Sequence, residues 1–161
     1  EELNELNPYG ADLTLIDRDL VLYEAQIIME YLDERFPHPP LLPVDPVTRA
    51  INRQFRYRVM RDLYVLIDDI ENGSDSAAAA ARKTMRDNLT SLTPMFSQKP
   101  YFMSDDYTLV DCCMAPLRWR LNFWGVKLPA STKALVQYGE RLFSRTAFKD
   151  SLSSHEKELN K

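Results

Sequence analysis

Cysteine is scarce in this chain, and the two residues it has, Cys112 and Cys113, are adjacent inside an apolar stretch. Neighbours of that kind give neither a disulfide framework nor metal-ligand spacing, so a reducing, cytoplasmic setting is the expectation. Histidine occurs only as His38 and His155, and no metal-ligand set, phosphate loop or catalytic triad emerges from the order of residues. Positive charge is not in excess either. A formal net charge of −4 offers phosphate backbones no general attraction, and direct sequence-specific nucleic-acid binding is not expected. No apolar run approaches the roughly 20 residues that cross a bilayer, and the opening Glu1-Glu2-Leu3-Asn4-Glu5 lacks a basic stretch followed by an apolar one. Neither membrane anchoring nor export is expected.

What is present suits a folded protein. Hydrophobic residues make up 45% and charged residues 27% of 161 positions, well away from the composition of disordered chains. Leu13 to Asp17 reads as a buried strand, Asp17-Arg18-Asp19 as a polar turn, and Leu20 to Tyr23 as the returning strand. From Glu24 to Phe36 the residues Ile27, Ile28, Tyr31 and Leu32 recur at helical spacing, and Pro37 bars continuation. Residues 37–46 hold five of the ten prolines and read as an extended linker. Helical patterns follow: Thr48 to Asn72; a second from Asp75, as cap, through the five alanines to Phe96; and a third from Thr108. Thr108-Leu109-Val110-Asp111 has the form of a capping box, and Pro116 should bend the helix it opens. Further helices are expected over Ser131 to Phe143 and from Ala147 toward Leu159.

Four constellations stand out from this pattern. Pro37-His38-Pro39 is either a stiff linker with a solvated imidazole or a rigid surface for docking. Arg49, Arg53 and Arg56 share a helical face, with Arg58 and Arg61 beside it, fit either to meet an acidic partner or to pair with Asp33, Glu34 or Asp62. Cys112 and Cys113 lack clustered cations nearby in sequence to lower a thiol pKa, which favours core packing over redox sensing. Trp119, Phe123, Trp124 and Tyr138 could line a ligand cleft, but their spacing favours core.

The succession of hairpin, helix, proline-rich segment and helices resembles the second half of a glutathione transferase from Leu6 onward. Three longer strings, Ile28 to Leu41, Lys99 to Asp105 and Leu109 to Cys112, resemble more specifically the stringent starvation protein A family. The resemblance implies a mainly α, glutathione-transferase-like fold, with a partial thioredoxin-like α/β domain over 1–36, a linker over 37–46 and an all-helical domain over 47–161. It places the strand that bears a transferase's catalytic Ser, Tyr or Cys ahead of Leu6. Active transferases have Val-Pro, with a cis proline, where this chain has Asp12-Leu13, and Glu-Ser where it has Glu24-Ala25. A cis bond before a non-proline costs about 2.5 to 4 kcal/mol, and Ala25 has no hydroxyl for the γ-glutamyl carboxylate. The expectation is therefore a protein without catalytic, cofactor or metal site. The resemblance further implies a transcription regulator of the bacterial starvation response that binds RNA polymerase holoenzyme, including its sigma factor. Pro37, His38 and Pro39 would be its contact, with Arg49, Arg53 and Arg56 as a secondary surface, and the protein a homodimer. A glutathione transferase or related thiol transferase is the alternative.

Overall fold

The computed structural model describes Asn7, Tyr9 and residues 13–159. Strands β1 (Thr14–Asp17) and β2 (Leu20–Tyr23) pair antiparallel, with Thr14 opposite Tyr23 and Asp17 opposite Leu20. The two-residue turn between them sets Arg18 at φ 57°. Helix α1 (Ala25–Arg35) follows at once, and the Tyr31 hydroxyl donates to Asp17 at the end of β1. Its end at Phe36, before Pro37, agrees with the sequence pattern.

The proline-rich segment is pinned rather than free. Asp33, on the inner face of α1, accepts the Leu41 amide at 2.6 Å and the Leu42 amide at 3.0 Å, while the Leu41 carbonyl takes the Leu109 amide at 3.1 Å. Leu42 is 4% exposed. A segment poor in amides thus commits two of them to one carboxylate and buries a leucine beside it.

Asp45 then caps α2 (Pro46–Asp62) by accepting from Thr48 N at 2.9 Å, with Pro46 at the first helical position, where its missing N–H is no loss. The single helix expected to Asn72 is broken. Leu63 leaves helical geometry, Tyr64–Leu66 form a 3-10 turn, and α3 (Ile67–Asn72) resumes. Tertiary anchors accompany the break: Leu63 is buried and the Tyr64 hydroxyl donates to the Cys113 carbonyl at 2.8 Å. Helix α4 (Asp75–Leu92) is capped by Ser74, not by Asp75; Asp75 lies in the first turn, where its charge suits the positive helix end. Ala78, Ala81, Met85 and Leu89 form its buried stripe.

Helix α5 (Leu109–Arg120) runs through the core and carries the expected capping box. Asp111, fully buried, accepts from the amides of Thr108 (2.8 Å) and Phe102 (3.0 Å) and from the Tyr138 hydroxyl (2.6 Å). Pro116 lies within the helix without ending it. A 3-10 turn (Ala130–Thr132) leads into α6 (Lys133–Ser144), then α7 (Thr146–Ser151) and α8 (Ser154–Glu158). The last two were expected as one helix. They separate at Leu152–Ser153 because the Ser153 hydroxyl accepts the Glu156 amide and starts a new cap. The core gathers Val59, Leu63, Met85, Leu89, Met114, Leu117, Leu135 and Leu142 around α5.

Candidate functional site

Pro37, His38 and Pro39 are all exposed. The His38 amide donates to the Phe36 carbonyl at 2.9 Å, closing a tight turn, and the His38–Pro39 peptide is cis. The turn stands on a fixed base, since Asp33 holds the next amides and Leu42 is buried. Around it in sequence lie Phe36 at 66%, Val44 at 83% and Val47 at 69% exposure. A rigid apolar projection with one imidazole is what this local sequence builds: prolines fix φ, and the carboxylate from α1 supplies the acceptor for the amides that follow.

The arginine face is placed differently from the sequence expectation. Arg53 donates twice to Glu30, at 3.0 and 2.8 Å, Arg56 donates to Gln26 Oε1 at 3.0 Å and is ion-paired with Glu30, and Arg49 Nε donates to the Pro43 carbonyl at 3.0 Å. Arg56 is 3% exposed. It is therefore turned toward α1, and its place in a presented surface is corrected to an internal tie between α1 and α2. The acceptor, Glu30, was not among the acidic residues expected, because the pairing joins two helices and leaves no periodic signal. The Arg53 hydrogen bond, with Arg56 added and partial burial opposing, holds the Glu30 carboxyl at about 2. Gln26 extends the tie, with Nε2 donating to Cys113 Sγ at 3.4 Å.

Cys113 is buried and Cys112 half-buried. Burial pushes the Cys112 thiol up to about 11 and raises that of Cys113, so neither is a ready thiolate at neutral pH. Tyr138 and Trp124 are core residues, and Trp119 packs edge-on against Phe143 and Phe148. Phe123 and His155 face solvent. Among the described residues no group of three or more His, Cys, Asp or Glu could hold a metal ion, and no helix is long and apolar enough to cross a membrane.

A cavity of about 470 Å³ is lined by Asn7, Tyr9, Leu13, Tyr23, Glu24 and Ala25, and so takes in the Glu24-Ala25 pair that the resemblance sets against the Glu-Ser of transferases. Ala25 opens α1 there with no hydroxyl to offer. Glu24 sits at φ 73°, and its carboxylate accepts the Gln26 amide at 3.4 Å, so an acidic side chain already engages the first turn. The Asp12–Leu13 bond lies outside the described residues.

Residues 54–146 match the family described as glutathione S-transferase, C-terminal domain. The chain is 52% identical over 160 residues to a stringent starvation protein A homolog of Coxiella burnetii, covering 99% of this chain and 77% of that protein. It is 50% identical to the homolog of Pasteurella multocida, covering 94% and 72%. Its backbone superposes with a TM-score of 0.86 on BphK, a bacterial glutathione transferase solved as a ternary complex, at 20% identity and covering 98% of this chain and 80% of that one. The last likeness and the family match fix the fold, and the two relatives, each at least 50% identical over at least 94% of this chain, fix the lineage: the chain belongs to the stringent starvation protein A family of glutathione-transferase-fold proteins.

Proposed function

We propose that this protein regulates bacterial transcription under starvation by binding RNA polymerase holoenzyme, including its sigma factor, without catalysing a reaction. Pro37, His38 and Pro39 are the contact. The single observation that carries the reading is the exposed Pro-His-Pro turn on its buried Leu42 base, the segment through which the family resemblance implies polymerase contact. A preformed turn loses little conformational freedom when a partner covers it. The protein works in the cytoplasm as a homodimer. Support for pairing comes from the groove between α1 and α2, about 810 Å³, where Ile27 and Tyr57 are exposed apolar residues. Arg53 lines this groove, and Arg49 and Arg53 form the secondary surface. The test is direct binding of the protein to purified holoenzyme with and without sigma factor; failure to bind either form refutes the proposal.

The cavity at Leu13, Glu24 and Ala25 favours a second reading, a glutathione or thiol transferase. Retention on glutathione-affinity resin together with conjugation of a standard electrophile would support that reading against the first.

A further inference from the structure

The concave surface between α6 and the segment that follows α4 has a charge opposite to that of the molecule. It is a recess of about 690 Å³ into which Lys99, Lys133 and Arg141 project, with Ser97, Gln98 and Gln137 between them and no carboxylate in the lining. In a chain of net charge −4 this is a local reversal. Lys133, Gln137 and Arg141 recur every fourth residue along α6 and so share one helical face, a stripe about 12 Å long. Ser97, Gln98 and Lys99 form the facing wall.

The cations differ in how far they are already used. Lys99 Nζ is paired with the Asp105 carboxylate at 2.5 Å, so its charge is already met within the chain. Arg141 spends only its Nε, donating to the Pro100 carbonyl at 2.8 Å, which fixes the plane of the guanidinium and leaves its two terminal nitrogens. Among the described residues neither Lys133 nor Arg141 has a carboxylate partner. The walls are open and polar, without an exposed aromatic ring on which a nucleobase could stack, and the stripe is extended rather than closed around a point.

We propose that this recess docks an acidic segment of a partner protein, its carboxylates set along the α6 stripe between Lys133 and Arg141. The proposal stands apart from the Pro-His-Pro contact and does not rest on it. Charge complementarity of this kind sets encounter rate and register, and its strength falls with added salt.

The test uses a fluorescein-labelled hexaglutamate peptide, read by anisotropy against the whole protein at low and at raised salt. Saturable binding is expected, weakened by salt. The double reversal Lys133→Glu with Arg141→Glu should raise the dissociation constant at least about tenfold, whereas Arg58→Glu with Arg61→Glu, the same change of net charge elsewhere, should change it less than about twofold. Should the first pair fail to fold by circular dichroism, Lys133→Gln with Arg141→Gln asks the same question without introducing repulsion. Equal weakening by both reversals, absence of saturable binding, or tighter competition by inorganic pyrophosphate or a short DNA duplex would each overturn the proposal.

Discussion

Asp33 Oδ2 accepts the main-chain amide of Leu42 at 3.0 Å, and with its other oxygen on Leu41 it fastens the proline-rich segment to α1. The carboxylate is itself buried, so the two amides are its compensation and it is theirs. This pair of bonds turns a run of prolines into a shaped surface.

Replacing Asp33 with Ala should therefore cost about 3 kcal/mol, as hydrogen bonds to a charged acceptor are lost and two amides are left in a largely apolar place. Asp33→Asn, with one acceptor oxygen left, should lose roughly half as much. Urea unfolding measures both. If polymerase binding depends on the shape of the turn, the Asn variant, still folded, should bind holoenzyme more weakly than the parent; binding equal to the parent would detach shape from recognition.

The triple change Pro37→Ala, His38→Ala and Pro39→Ala tests the contact itself. All three residues are exposed, so the folded state loses little, and the unfolded chain gains freedom at about 0.4 to 1 kcal/mol per proline removed. A central contact carries about 2 kcal/mol or more, which is a loss of at least about tenfold in affinity. The expected result is a folded protein with that loss in a holoenzyme titration. Unchanged binding by the folded variant would remove this segment as the docking site.

Local codes were legible in the sequence. The capping box at Thr108 and Asp111, the hairpin around Arg18 and the stop at Pro37 depend on a few adjacent residues and were found where expected. Ser153 and Glu156 have the spacing of a capping box as well, a signal masked by the apolar periodicity that runs across it. Other features depend on partners far along the chain. The break at Leu63 accompanies a tyrosine hydroxyl that reaches Cys113, and the fate of Arg56 is decided by Glu30 on another helix. No spacing rule announces either. The exposed Pro-His-Pro turn was visible as sequence; its attachment through Asp33 was not.

Asp111 is the densest of these hubs. Asp111→Ala removes the acceptor for two buried amides and for the Tyr138 hydroxyl, so a loss of roughly 4 kcal/mol is expected, against about 1 to 2 kcal/mol for Thr108→Ala, which removes the cap and the 3.3 Å hydrogen bond from the Thr108 hydroxyl to Asp111. Equilibrium unfolding of the two variants gives the comparison. Similar losses would mean that Asp111 contributes as a cap alone.

Acid should release the tie between α1 and α2. Glu30 is ionised down to about 2 in the folded protein, compared with an ordinary value of 4.5. A depressed acid binds fewer protons when folded than when unfolded, so its stabilisation is fully present above pH 4.5 and is lost as the pH falls through that value toward 2. The difference corresponds to at most about 3 kcal/mol, and solvent screening reduces it further, because Arg53, whose hydrogen bonds are the largest cause, is 47% exposed. Glu30→Gln cannot titrate. Its stability should be lower than the parent's at pH 7, and the gap should narrow steadily as the pH is lowered below 4.5. Urea midpoints for the two proteins, measured in parallel across that range, give the result. A gap that stays constant with pH would mean that Glu30 holds Arg53 and Arg56 by shape and hydrogen bonding alone, with its charge contributing nothing to the joint between the helices.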